Sequence, residues 1–215
     1  MISNNEYFES HYSDLTTSWL GNYVNDYFHK KMESNLPLDN YSKVLELGSL
    51  HGYHKRFVKH SYEIYYETDI LTKNKQTIDK DYIKLNQDAE NLKDFKDNSV
   101  DRIIATCLLA HLKNPEKSLQ EIKRVIKKDG TVTLWVANDP SILLRVIQVL
   151  FRKPAFKKKG LDYDALQYRQ HINYFTQINF LINYEFKDFT IIKKSLPFKK
   201  FWYHFNLVTI YQIST

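Results

Sequence analysis

The stretch Val44-Leu45-Glu46-Leu47-Gly48-Ser49-Leu50-His51-Gly52 constrains this chain more than any other. An apolar run meets an acidic residue and then two glycines four apart, and a helix is predicted to follow from about 52 to 60. The chain holds only 5 glycines in 215 residues. Two of them within five positions mark a place where a Cβ would obstruct a tight strand-to-helix turn or the close approach of a bound nucleotide. Such a loop offers backbone N–H groups at a helix N-terminus. Glu46, immediately before it, is a poor neighbour for a pyrophosphate and a good one for a cation such as an amino group. The loop therefore reads as the seat of a cofactor bearing an amino acid rather than of a dinucleotide.

Strands and helices alternate from residue 43 onward. This predicts an α/β fold: a Rossmann-like seven-stranded, mostly parallel sheet with helices on both faces and the last strand antiparallel. Strands are expected at 43–47, 63–68, 81–85, 100–106, 131–137, 189–194 and 207–213. A helix starts near Pro115 and ends at Lys127-Lys128-Asp129-Gly130. An apolar helix is expected at 142–151, an irregular basic region at 152–174 and a further helix at 175–186. Upstream, residues 12–34 carry Leu15, Trp19, Leu20, Tyr23, Val24, Tyr27 and Phe28 at helical spacing. That helix should lie over the cofactor cleft or cap the sheet. The chain reads as one domain over 1–215, divided into a helical lead-in (1–38), a cofactor-binding core (39–140), an acceptor-side insertion and helix (141–190) and C-terminal strands (191–215).

A hydrophobic fraction of 43% suits an ordinary globular core, and a single cysteine, Cys107, excludes an internal disulfide framework and a multi-cysteine metal cage. A cytoplasmic location is expected, because the N-terminal residues lack a basic and apolar leader and no window is apolar enough to span a bilayer. The net charge of +6 comes mainly from lysine. Its clusters, Arg152-Lys153, Lys157-Lys158-Lys159, Lys193-Lys194 and Lys199-Lys200, suit a phosphate-bearing substrate, peripheral contact with an anionic membrane, or plain solvation.

Acidic residues close two further strands. Asp69 is placed to accept hydrogen bonds from a ribose diol, and Asp88 from an adenine amino group. With these in view, the sequence resembles the class I S-adenosylmethionine-dependent methyltransferases, in particular the broad type 11 group. The matching pieces occur in family order across roughly residues 40–140: the opening loop, Tyr66-Glu67-Thr68-Asp69-Ile70, Gln87-Asp88-Ala89-Glu90-Asn91-Leu92, Asn98-Ser99-Val100-Asp101-Arg102-Ile103-Ile104-Ala105, and the run from Asn114-Pro115 to Asp129-Gly130. The resemblance implies S-adenosyl-L-methionine as cofactor, held by Glu46, Gly48, Ser49, Gly52, Asp69, Asp88 and Ala89. One departure is Leu50, where the family usually has glycine. Asn138-Asp139-Pro140 and Tyr168-Arg169-Gln170-His171-Ile172-Asn173-Tyr174-Phe175 extend the likeness to a subgroup often associated with bacterial surface polysaccharide and glycan biosynthesis. That implies a small-molecule or glycan hydroxyl acceptor, contacted by Asn138, Arg169 and Asn173.

Methyl transfer to a hydroxyl needs positioning and a base, and histidine suits neutral pH. His111, just past the fourth strand, and His171 are the candidates. If the segment around His171 is extended, Arg169, His171 and Asn173 share one side; otherwise Arg169 pairs with Asp162 or Asp164. His51 and His54 lack companions for a metal site, and no metal is expected. Cys107 reads as a small packed residue rather than a nucleophile. Three other function classes could use such a sheet. A non-catalytic partner of this fold is kept open by Leu50, and a nucleic-acid methyltransferase is disfavoured because no Asn/Asp-Pro-Pro-aromatic motif follows the fourth strand. Glu46 and the missing middle glycine count against a nicotinamide-dependent oxidoreductase.

Overall fold

The computed structural model describes residues 19–37, 40–198 and 202–214; the predicted helical positions 12–18 and the Lys199-Lys200 pair lie outside these. Helix α1 (Trp19–Met32) precedes β1 (Asn40–Leu47), β2 (Ser61–Thr68), β3 (Gln76–Asp79), β4 (Tyr82–Leu85) and β5 (Val100–Thr106). Helix α2 (Pro115–Val125), β6 (Ile126–Ala137), α3 (Ile142–Ile147), a π-helical turn (Gln148–Arg152), α4 (Lys153–Lys158), α5 (Tyr163–Gln170), α6 (Phe175–Glu185), β7 (Thr190–Leu196) and β8 (Val208–Ser214) complete the order. Asn114 caps α2 by accepting from the Lys117 N–H, with Pro115 in the first turn.

The strands form one eight-stranded sheet in the order β3-β4-β2-β1-β5-β6-β8-β7. Pairs β1–β2, β2–β4, β1–β5 and β5–β6 are parallel, and β3–β4, β6–β8 and β7–β8 antiparallel. The expected class and the antiparallel close are present; the extra strand is β3, an exposed edge segment. The order in which strands are added reverses between β1 and β5, which opens a crevice at their carboxyl ends, where ligands of such sheets bind.

One face of the sheet buries Leu45, Leu47, Ile103, Val132 and Leu134 against Leu119 and Ile122 of α2 and Ile178 and Ile182 of α6. The other buries Val44, Tyr65, Ile104 and Ile210 against Phe28 and Met32 of α1. Helix α1 therefore packs on the sheet face.

Two expectations need correction. The helix predicted for 52–60 is a single 3-10 turn, Lys55–Phe57, followed by extended backbone at Val58. Between β1 and β2 the chain must return along a strand of 8 residues, about 26 Å, whereas nine helical residues advance only about 14 Å. Tyr53 and Phe57 pack on His29 of α1 instead. The region 152–174 is largely helical, as α4 and α5, rather than irregular. Asp162 caps α5 by accepting from the Ala165 N–H. Among the described residues no helix is long and apolar enough to cross a membrane.

Candidate active site

The loop after β1 turns on three left-handed residues: Gly48 at φ +64°, Leu50 at +50° and Gly52 at +67°. A Cβ on Gly48 would sit 2.6 Å from Leu108 Cδ1, and one on Gly52 would collide with the Glu67 carboxylate. Both glycines are thus required by conformation and by space. Leu50 holds the same backbone region with a side chain, at a cost of about 1–2 kcal/mol, which accounts for glycine being usual there. Its N–H donates to Asp69 Oδ2 at 3.0 Å, and the Ser49 N–H donates to the Thr68 carbonyl at 3.0 Å. The loop is thereby tied to the end of β2.

Asp69 also accepts the Leu71 N–H on Oδ1 at 2.9 Å. Each carboxylate oxygen has a second lone pair, so the hydroxyls of a ribose can still be received. Strand register sets Thr68 beside Leu85, which brings the loop after β4 alongside Asp69. In that loop Asp88 is exposed and accepts the Glu90 N–H at 2.8 Å, and Ala89 is buried. The residues expected to hold the cofactor line up along the ends of β1, β2 and β4. Only the 3-10 turn Lys55–Phe57 follows the glycine loop, so the loop presents no α-helix terminus to the crevice.

Glu46 lies beneath the loop, 1% exposed, and accepts a hydrogen bond from the Tyr65 hydroxyl at 2.6 Å. Burial, reinforced by Glu67 and Glu33, pushes its carboxyl up to about 8, against the Tyr65 hydrogen bond. Glu67, opposite Glu46 in the sheet, is paired with Lys84 at 2.8 Å and bonded by the Tyr82 hydroxyl. At neutral pH Glu46 is therefore largely protonated, and a cation brought close to it would draw off the proton.

On the far side of the crevice, the loop after β5 carries Cys107, at φ +56°, and His111. The segment before α6 is clamped onto this loop. The Ile172 and Asn173 N–H groups both donate to the Ala110 carbonyl, and Asn173 Nδ2 donates to the Leu109 and Leu112 carbonyls. The clamp sets the rings of His111 and His171 edge to face, 4.7 Å apart. His111 Nδ1 donates to the Gln170 carbonyl at 2.9 Å, which leaves Nε2 as the lone-pair nitrogen. Burial first, and His171 second, push the His111 imidazole down to about 3.

His171 Nδ1 stands 3.6 Å from Asp139 Oδ2. Asp139, 2% exposed, also accepts from Gln167 Nε2 at 3.0 Å and has Arg145 3.4 Å from Oδ1. Burial pulls its carboxyl upward, but the nearby His171 imidazole, the Gln167 hydrogen bond and the Arg145 charge outweigh it, so the carboxylate stays charged. The sequence reading missed Asp139; its place just past a strand end, beside Asn138, was the available signal. One donor atom from each of Cys107, His111 and His171 lies within 4.8 Å of the others, a convergence not foreseen when only His51 and His54 were weighed for a metal. The Cys107 thiol is pushed up to about 11 by burial.

The remaining predicted residues are placed differently. Asn138 is buried, with Oδ1 accepting from Thr209 and Nδ2 donating to the Tyr203 carbonyl. Asn173 spends its amide on the clamp. Arg169 lies in α5, not in an extended segment, and is exposed, so it does not alternate with His171. Of its two expected partners, Asp162 caps α5 and Asp164 pairs with Lys153 at 2.6 Å.

A family described as "Methyltransferase domain" matches residues 45–134. Residues 45–134, less than half of the chain, are thus similar to a methyltransferase domain. The match runs from the first strand to the fifth parallel one, across both strand-end loops of the cofactor edge. The cofactor of such a domain is S-adenosylmethionine, and the glycine cradle and the acidic strand ends fit it. Known structures share the fold of this chain. A Haloferax volcanii protein described as a methyltransferase, in complex with the Trm112 methyltransferase activator, is 16% identical with a TM-score of 0.62, over 90% of this chain and 91% of that one. The plantazolicin methyltransferase BpumL, in complex with a monoazolic desmethylPZN analog and SAH, is 12% identical with a TM-score of 0.65, over 99% and 91%. A thiol S-methyltransferase of Rattus norvegicus, TMT1B, is 39% identical over 47 residues, 22% of this chain. The chain spans only 19% of the length of that relative.

Proposed function

We propose that the protein transfers the methyl group of S-adenosylmethionine to a hydroxyl of a small molecule or glycan in the cytoplasm, in line with the likeness to proteins of surface polysaccharide biosynthesis. The observation that carries this reading is the Asp139–His171 pair, held across the crevice from the glycine loop and Asp69. When bound, the cofactor supplies an electrophilic methyl group that a nucleophile displaces in line. Asp69 and Asp88 orient it, and the two loop glycines let it approach the backbone closely. His171 acts as the base. The Asp139 carboxylate keeps the proton on Nδ1, leaves Nε2 to receive the acceptor proton and stabilises the imidazolium that results. His111 is too weak a base for that task and serves as the neutral ring that positions His171.

Calorimetry with S-adenosylmethionine and its demethylated product, joined to a turnover assay on hydroxylated sugars and thiols, tests this. Asp69→Ala is expected to weaken cofactor binding about tenfold or more. His171→Ala and Asp139→Asn should leave binding intact and lower turnover by about 10²–10⁴-fold. No adenosyl-ligand binding at millimolar concentration would overturn the enzyme reading, and undiminished turnover in His171→Ala would overturn the base. A preference for thiols over every hydroxyl would overturn the acceptor class.

A further inference from the structure

The helical run formed by α3, the π turn and α4 has inverted polarity. Gln148 is 1% exposed, while Val149, Leu150 and Phe151 stand 53%, 60% and 61% exposed. Ile142 and Val146 continue the same row at 55% and 46%. The spacing i, i+4, i+7, i+8 places Ile142, Val146, Val149 and Leu150 on one side of the helix, with exposed Phe151 next to Leu150 in the π turn. The opposite side anchors the run: Leu144 and Phe156 are buried, and Ser141 both caps α3 at the Leu144 N–H and donates to the Asn206 carbonyl. The 3-10 turn Tyr203–Phe205 packs against α3 and adds exposed Phe205, with exposed Trp202 just before it. An apolar row this long on a surface marks a contact site.

Charge identifies what fits it. Residues 140–161 contain Arg145, Arg152, Lys153, Lys157, Lys158 and Lys159 and no Asp or Glu. Arg145 faces Asp139 and Lys153 pairs with Asp164, and the exposed Lys157 and Lys158 at the end of α4 add the positive charge of this face. An isologous contact between two copies would set this basic cluster against its own image. We propose that this face docks on an anionic lipid bilayer, with the apolar row at the headgroup boundary and the lysines on lipid phosphates. The run begins just after Asp139 and leads, through α5, to His171. Docking would thus present the base to an acceptor carried at the membrane surface. Only that consequence rests on the methyl-transfer reading.

Co-sedimentation with phosphatidylcholine vesicles, alone and mixed with phosphatidylglycerol, tests the docking without any turnover. Binding is expected with the anionic vesicles, little with phosphatidylcholine alone, and a decline as salt rises because exposed charges are screened. Leu150→Glu with Phe151→Glu, and separately Lys157→Glu with Lys158→Glu, should each lower partitioning by about tenfold or more. Calorimetric cofactor binding should be unchanged in both, which shows that the variants fold and keeps this test separate from the methyl-transfer reading. Absence of pelleting with anionic vesicles overturns the proposal, as does pelleting that survives both double variants. A concentration-dependent dimer in light scattering, dissolved by Leu150→Glu/Phe151→Glu in a protein that ignores vesicles, assigns the face to a second copy instead.

Discussion

The two faces of the sheet hold their helices by different means. Under α2 and α6 the packing is predominantly apolar, Leu119, Ile122, Ile178, Ile182 and Phe186 against the inward residues of β1, β5 and β6. Under α1 the apolar layer gives way to a buried polar chain. Arg102 of β5, 0% exposed, donates to Glu33 just past α1. Glu33 also accepts from His54 Nε2 at 2.8 Å, and His54 Nδ1 accepts from His29 Nδ1 at 2.8 Å. Burial pulls the Glu33 carboxyl up, but the His54 hydrogen bond and the Arg102 charge hold it below its ordinary value. His29 is pushed down to about 2, by burial first and His54 second, and His54 is lowered by burial. This network occupies the side where a helix after the glycine loop was expected. The contrast shows that the return path from β1 to β2 is secured by charge and hydrogen bonds rather than by an amphipathic helix.

Deleting one partner from each face separates the two modes of packing. Glu33→Ala leaves a buried guanidinium unpaired and should cost about 3–5 kcal/mol in urea unfolding. Replacing both partners, Glu33→Met with Arg102→Leu, should recover most of that loss. Ile122→Ala on the apolar face should cost about 2–5 kcal/mol, with no dependence on pH. A loss below about 1 kcal/mol in Glu33→Ala would mean that the network does not secure the path.

pH acts in opposite directions on the buried ionisable groups. His29 at about 2 and His111 at about 3 are depressed from 6.5, so the stability they contribute is complete above pH 6.5 and lost as pH falls, about 1.4 kcal/mol per unit for each. Glu46 is raised from 4.5 to about 8; its contribution is complete below pH 4.5 and lost as pH rises toward 8, at a similar slope. Stability should therefore peak near pH 6.5. Glu46→Gln should raise the melting temperature at pH 8 by an amount worth a few kcal/mol and change little at pH 4.5. An equal effect at the two pH values would contradict the buried-acid account.

The smallest effect is expected at Leu50→Gly. Relief of the left-handed leucine, offset by added freedom in the unfolded chain, should stabilise by no more than about 1 kcal/mol. Cofactor affinity, read by calorimetry, should rise a few-fold at most.

Much of the cofactor edge was legible because its parts are local. A strand end, its acidic residue and the turn that follows occupy contiguous positions, so Glu46, Gly48, Asp69 and Asp88 could be placed from short motifs. The fold class followed from alternating apolar runs, and β3 escaped because its four residues are all exposed. The polar network was not legible. Arg102 looks like an ordinary outward residue in its strand, and only contact with α1 makes it a core residue. The far side of the crevice was legible only in part. Arg169 and His171 were read as one extended run, whereas α5 ends between them.

By itself the sequence determined the strand order along the chain, the glycine loop and the acids at the strand ends, since each is a matter of local conformation and periodicity. Only the tertiary structure decided that Asp139 stands behind His171, that His111 is a neutral partner and that the loop after β1 leads into a charged core rather than a helix. Those outcomes depend on long-range contacts and on burial, which set hydrogen-bond partners and proton affinities that no single segment encodes.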